Sequence, residues 1–256
     1  NVTESDCRKQ FSEATFREFY RHRLPVQIIR TAIFFHLFIP AETVKIFIWF
    51  LFRCYVSRKT ICSWSRKFLD ELPDISCKEK YKSLIRHGDE KQIKIKGKKA
   101  WWWNIVSYRG KLLTSLVSWT RHECHARKLM KMNKQIHGSP LIMITDKLPS
   151  YVKPVNVFGR NCKHITAGIV PRLVNYKKDL LLISNLAVER MHSKIDSYIN
   201  MKVRGSFESF ESANRHRKAF MLTAYLQETL ALQRSLGTFS TALNKHTTLS
   251  ELAVPV

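Results

Sequence analysis

Carboxylates are scarce in this chain, 20 Asp and Glu against 44 Lys and Arg, so acids placed at strand ends or along one helix face are the residues to weigh for chemistry. Asp146 follows the apolar run Leu141-Ile142-Met143-Ile144-Thr145. That puts it at the carboxyl end of a buried strand, where open α/β sheets bind their ligands, with capping of the next segment as its plainer role. Asp89 and Glu90 open an earlier strand. Period-two alternation sets Asp89 on the face of Ile93 and Ile95, and Glu90 on that of Lys94 and Lys96. Asp89 is then the inward-facing acid; a bulge would bring in Glu90 instead, and a solvated charge at a strand start is the alternative for either. The third acid is Glu189. At about 100° per residue, Val188, Met191, Ile195 and Tyr198 form an apolar stripe, opposite a polar one of Asn185, Glu189, His192, Ser193 and Asp196. Glu189 thus projects away from the helix's buried side, and Asp196 on the same stripe is its stand-in. Three carboxylates converging from two strands and a later helix could hold two divalent cations about 3.5–4 Å apart for an in-line phosphoryl displacement. Such hard oxygen ligands suit Mg²⁺, or Mn²⁺.

The elements that must position these acids can be read from periodicity and breakers. Residues 11–71 read as helical: one helix over 16–24 before Pro25, a second to about Phe38, and a third from Pro40 to Tyr55. Ser57 is a plausible N-cap for a helix from Arg58 to Leu69, which carries Arg58, Lys59, Arg66 and Lys67 beside Ile61, Trp64 and Phe68. This is a helix-turn-helix outline, with an ordinary helical bundle as its alternative. The stretch from Pro73 to Arg86 reads as a linker. Strands then follow over 91–96, 100–107 and 111–119 as a meander, a basic helix over 121–136, the buried strand 141–145, another strand over 164–169, and helices through most of 181–236. The order β-β-β-α-β-α-β-α suggests an α/β fold, a ribonuclease H-like mixed sheet flanked by helices and preceded by the all-α helix-turn-helix region. The expected domains are residues 1–72, helical and DNA-binding; 73–86, linker; 87–225, catalytic core; and 226–256, a helical tail.

A net charge of +24 implies a polyanionic partner, with nucleic acid ahead of an anionic membrane. The apolar stretch 33–56 is interrupted by Pro40, Glu42 and Lys45, too short a run to span a bilayer, and reads as buried helix. No signal-peptide pattern opens the chain, and the six cysteines lack metal or disulfide spacing. His122, Cys124 and His125 do not form the HExxH signature of a zinc site. A reduced, cytoplasmic, nucleoid-associated protein is the expectation.

Three blocks carry a resemblance. His87-Gly88-Asp89-Glu90 with Ile93 to Lys99 and Trp101-Trp102-Trp103, then Ile144 to Tyr151, then Ser184 to Ser193, resemble the integrase core of insertion-sequence transposases, most closely the IS-six group. Arg204-Gly205-Ser206-Phe207 with residues 209–213 is similar to the stretch that follows the family's catalytic glutamate. The resemblance implies a DDE triad of Asp89, Asp146 and Glu189 that binds two Mg²⁺ or Mn²⁺ ions, cleaves DNA at element ends and joins the freed 3′ hydroxyl to target DNA. It also implies double-stranded DNA as partner and a dimer or higher assembly. The DNA-binding candidates are Arg58, Lys59, Arg66 and Lys67 on the presumed recognition helix, Lys94, Lys96, Lys98 and Lys99 beside the catalytic strand, and Arg190 next to Glu189. A silent DNA-binding derivative and a nuclease without strand joining are the competing readings.

Overall fold

The structure, a computed structural model, describes residues 24–72, 84–168, 172–176, 179–203 and 205–235. The expected helix over 16–24, apart from its last residue, and the tail beyond 235 lie outside the described residues. The chain divides into two compact units, residues 1–68 and 69–256.

In the first unit Pro25 and Pro40 immediately precede α1 (Val26–Phe38) and α2 (Ala41–Phe52), so their missing N–H groups leave no helical bond unmade. Arg53, in the left-handed conformation (φ 52°), ends α2. The helix α3 (Arg58–Glu71) starts at the expected cap: the Ser57 hydroxyl oxygen accepts the N–H of Thr60 (3.1 Å). Ile29, Ile33, Val44, Ile48, Ile61 and Trp64 meet in one core. The apolar stretch is not the buried helix that its composition implies. Among the described residues, α2 buries Ala41, Val44 and Ile48, one stripe at helical spacing, and leaves Ile46, Trp49 and Phe50 exposed. Among the described residues no helix is long and apolar enough to cross a membrane.

The second unit is built on a five-stranded sheet of order β3-β2-β1-β4-β5. The meander is β1 (Ile85–Ile95), β2 (Lys98–Ser107) and β3 (Leu112–Ser118), antiparallel throughout, with β1 beginning ahead of Asp89 rather than at it. Lys96 (φ 49°) and Gly97 (φ 75°) make the two-residue turn between β1 and β2, where positive φ at both positions matches the strands' twist. After α4 (Glu123–His137), β4 (Ile142–Thr145) and β5 (Lys163–Thr166) add in parallel to β1's other side. Between β4 and β5 the expected helix is replaced by two short 3₁₀ turns, Pro149–Tyr151 and Pro154–Phe158, each opened by a proline that interrupts helical hydrogen bonding. A second correction follows β5: the chain forms an antiparallel hairpin, β6 (Arg172–Tyr176) and β7 (Asp179–Ile183), where periodicity had suggested helix from Leu181. The helices α5 (Leu186–Lys202) and α6 (Phe210–Ser235) follow.

Both faces of the sheet are covered. Trp103, Ile105 and Leu113 pack with Leu129 and Met130 of α4 and with Tyr151 on one face. On the other, Trp102 meets Phe207 and Phe220, and α5 lies against β1 and β2. The indole N–H groups of Trp102 and Trp103 donate to the hydroxyls of Ser115 and Ser118 on β3 (2.7 Å each), so these large rings are buried without an orphaned donor. Arg204-Gly205-Ser206-Phe207, apart from Arg204, which lies outside the described residues, docks at the β1 tip: the N–H of Phe207 donates to the carbonyl of Lys94, and that of Lys96 to the carbonyl of Phe207 (2.9 Å each).

Candidate active site

Strand pairing explains why two of the three acids meet. In the parallel β1–β4 ladder Gly88 is opposite Thr145, so the next residues on each strand, Asp89 and Asp146, leave the ladder side by side. Asp89 faces α5 and is only 7% exposed. Its Oδ1 accepts the N–H of Glu90 (2.8 Å), and its Oδ2 accepts the side-chain amide of Asn185 (3.2 Å), the residue that caps α5. One turn into α5 stands Glu189, half-buried. Burial, and then the charges of Glu90, Asp146 and Glu189, push the Asp89 carboxyl up to about 8, against the opposing pull of the Glu90 N–H.

Asp89 is the shared member of two ligand sets. Its carboxylate and those of Glu90 and Asp146 present oxygens all within 4.8 Å of one another; so do Asp89, Glu189 and His192, with the imidazole supplying a nitrogen. The arrangement therefore links β1, β4 and α5 through one carboxylate. Both sets are chemically fit for divalent cations, one offering only hard oxygens, the other oxygens and a nitrogen.

Asp146 takes the capping role that the sequence allowed and stands beside Asp89 at the end of β4. Its Oδ1 accepts the N–H of Leu148 (3.0 Å), a local turn, while Oδ2 lies 3.5 Å from Arg121 Nη2. Glu90 points to the opposite face from Asp89, as alternation requires, yet is equally buried, because α4 and the 3₁₀ turns cover that face. There the Tyr151 hydroxyl donates to Glu90 Oε2 and the Arg121 guanidinium to Oε1. Burial raises the Glu90 carboxyl; Tyr151 and Arg121 oppose this. Arg121 also lies over the Trp101 ring at 4.9 Å, which fixes its plane.

The polar stripe of α5 is corrected in part. Asn185 and His192 are buried against the sheet, whereas Ser193 and Asp196 are exposed. The face is polar because the sheet it covers is polar there. Asp196 pairs with Lys91 (2.7 Å) and joins neither ligand set. Sequence reasoning missed Asn185 and His192 as site residues although both stood on the right stripe; Arg121 and Tyr151 left no local signal, being 31 and 61 residues from Glu90. Among the described residues, His122 and His125 serve the start of α4: the His122 ring accepts the N–H of Cys124 (3.5 Å), and His125 Nε2 meets the Thr120 hydroxyl (3.0 Å). Cys54, Cys62, Cys124 and Cys162 are free thiols.

The basic candidates fall in two places. Lys94, Lys96, Lys98 and Lys99 are exposed around the β1–β2 turn, with Lys94 directly across from Lys99. Like charges so opposed repel, which makes the tip a ready anion contact. Arg58, Lys59, Arg66 and Lys67 are exposed on α3, and Arg190 is exposed on α5.

A mixed sheet of this order, with helices on both faces and acids gathered where β1 and β4 part, is an arrangement that suits a polynucleotidyl transferase of the DDE class. Residues 84–230, more than half of the chain, match the family model of the DDE domain of IS240-type transposases (DDE_Tnp_IS240), and the chain belongs to that family. No curated protein sequence matches it. Among solved structures it is similar to the HTLV-2 integrase catalytic core domain in complex with magnesium, in a dimeric form (20% identity, covering 45% of this chain and 69% of that one, TM-score 0.34). It is also similar to the catalytic core domain of BIV integrase (14%, 54% and 81%, 0.36). A third likeness is to a simian T-cell lymphotropic virus intasome in complex with the PP2A regulatory subunit B56 gamma (13%, 68% and 60%, 0.36). The expectation of an insertion-sequence DDE transposase is borne out by the family match.

Proposed function

We propose that the chain cuts DNA at the ends of a mobile element and joins the freed 3′ hydroxyl to target DNA, with Asp89, Asp146 and Glu189 as the metal-binding catalytic acids. The observation that supports this most is the sharing of Asp89 between a set containing Asp146 and a set containing Glu189. Asp89 and Asp146 would hold one divalent cation, Asp89 and Glu189 a second, Mg²⁺ or Mn²⁺ in each case. Such a pair of ions activates the attacking oxygen and stabilises the leaving one. The protein's own part is placement. Asn185 and the Glu90 N–H fix both oxygens of Asp89, the Leu148 N–H fixes one of Asp146, and Arg121 holds Glu90 to the far side of the strand. Duplex DNA is the partner; two element ends held together require a dimer or higher assembly, and such a protein would work at the nucleoid in the cytoplasm.

The test uses the purified full chain, Mg²⁺ and labelled duplexes bearing the element's terminal inverted repeats, with nicking and strand transfer scored separately. Asp146→Asn should lower both by about a thousandfold or more, since stabilisation by a metal is worth several kcal/mol and each ~1.4 kcal/mol is tenfold. DNA binding should stay the same or tighten, because a negative charge near phosphates is removed. Undiminished cleavage by Asp146→Asn would place the active site elsewhere; nicking without transfer by the wild type would make the protein a nuclease.

The two basic surfaces carry separate expectations. Alanine at Lys94, Lys96, Lys98 and Lys99 should weaken binding to every duplex about equally and flatten the salt dependence by about one unit for each phosphate no longer neutralised. Alanine at Arg58, Lys59, Arg66 and Lys67 should instead erode the preference for element ends over a scrambled duplex. If both sets lowered the two affinities in the same ratio, α3 would not be a recognition helix.

A further inference from the structure

We infer that His192 is a direct ligand of the cation held between Asp89 and Glu189, which makes that position an oxygen–nitrogen site favouring Mn²⁺ over Mg²⁺, unlike the all-oxygen position at Asp146. The inference rests on the two-cation reading above and extends it to a residue outside the DDE triad.

His192 follows Glu189 by three residues, so both rise from one face of α5. That face turns His192 inward: it is 8% exposed, whereas its neighbours Ser193 and Lys194 are exposed. Its Nδ1 lies 3.8 Å from Glu189 Oε2, beyond hydrogen-bond range, and among the described residues its buried Nε2 has no hydrogen-bond partner. Yet a ring nitrogen lies within 4.8 Å of carboxylate oxygens of both Asp89 and Glu189. A buried imidazole whose Nε2 meets no hydrogen-bond partner among the described residues, with a ring nitrogen close to two carboxylates, has the place and the chemistry of a ligand. Lys91, whose charge bears on the imidazole, is drawn instead to Asp196 (2.7 Å) on the next turn of α5. The two positions then differ in kind. Imidazole nitrogen is a poor ligand for Mg²⁺ and a good one for transition metals, whereas Asp89 with Asp146 offers Mg²⁺ only oxygens.

The experiment titrates untagged, metal-free protein with Mn²⁺ alone and reads electron spin echo modulation from ¹⁴N on the bound ion. Wild type should show imidazole nitrogen coupling, converted to the ¹⁵N pattern by labelling with ¹⁵N-histidine. His192→Gln should abolish the coupling and raise the Mn²⁺ dissociation constant on the order of tenfold or more, since even outer partners of metal ligands are worth about 10–100-fold. Mg²⁺ affinity, read by competition, should move less. Should His192→Gln fail to fold, the labelled wild type together with Glu189→Gln, which should weaken the coupled site, carries the test. Mn²⁺ bound without nitrogen coupling would overturn His192 as a ligand and leave the carboxylate reading standing. No Mn²⁺ binding by the wild type would overturn the two-cation reading itself and this inference with it.

Discussion

Asp89→Asn will abolish metal-dependent DNA cleavage and, in the same molecule, raise the thermal stability of the metal-free protein at pH 8. The first half follows from the place of Asp89 in both ligand sets. The second follows from its environment. Burial among three other carboxyl groups raises its carboxyl from 3.8 to about 8 in the folded protein. A raised carboxyl means that the native state binds more protons than the unfolded state between those values, so stability falls as pH rises through that window. The contribution is intact near pH 4 and fully lost above about 8. Each tenfold difference in proton affinity between the folded and unfolded states corresponds to about 1.4 kcal/mol, so the wild type should lose on the order of a few kcal/mol that the asparagine variant keeps. The variant's amide oxygen can still accept the Glu90 N–H, and Asn185, whose Oδ1 has no hydrogen-bond partner among the described residues, can turn that oxygen toward the new amide. Melting curves of both proteins in chelator at pH 5 and pH 8 check this. The gap should be small at pH 5 and wide at pH 8; a gap independent of pH would mean that Asp89 is charged in the folded state throughout.

Arg86→Met should cost on the order of 3 kcal/mol, read from the urea midpoint. Arg86 is 1% exposed, and its guanidinium donates to neutral groups: the carbonyls of His137 (2.8 Å) and Gly138 (2.7 Å) and the Asn133 side chain. Those carbonyls close α4, where the helix dipole is negative, so the cation and the helix end stabilise each other. Burial lowers the guanidinium to about 10, and it stays charged at neutral pH. Methionine keeps the length and removes every donor, leaving buried acceptors unmet at about 1–3 kcal/mol each. Arg66→Met on the exposed side of α3 should change stability by no more than about 0.5 kcal/mol. If Arg86→Met were equally mild, water would have to reach the end of α4.

The position of Asp146 was legible because an uninterrupted apolar run ending in an acid has few other meanings in an α/β chain. Alternation likewise assigned Asp89 to the face that α5 covers. It failed to separate buried from exposed at Glu90, since a strand covered on both faces has no outward side until Gln92. The stripe on α5 misled for a related reason: reading polar as solvent-facing assumes an apolar sheet beneath, and at a site of gathered acids the buried stripe is the polar one. The hairpin of β6 and β7 was missed because a four- or five-residue apolar run fits either element. Contacts made only in three dimensions, such as Arg121 and Tyr151 on Glu90 or Arg86 at the end of α4, leave no period to read.

Because Asp89 and Glu90 are neighbours on one strand, the choice between them is made by counting residues from the turn at Lys96 and Gly97. Adding or deleting one residue in that interval would turn every side chain before it to the other face, setting Glu90 opposite α5 and Asp89 before Arg121. The exchange keeps the number of acids and the net charge, and nothing in composition would betray it. The number of residues between Glu90 and Gly97 therefore matters to this hairpin as much as the identity of its acids.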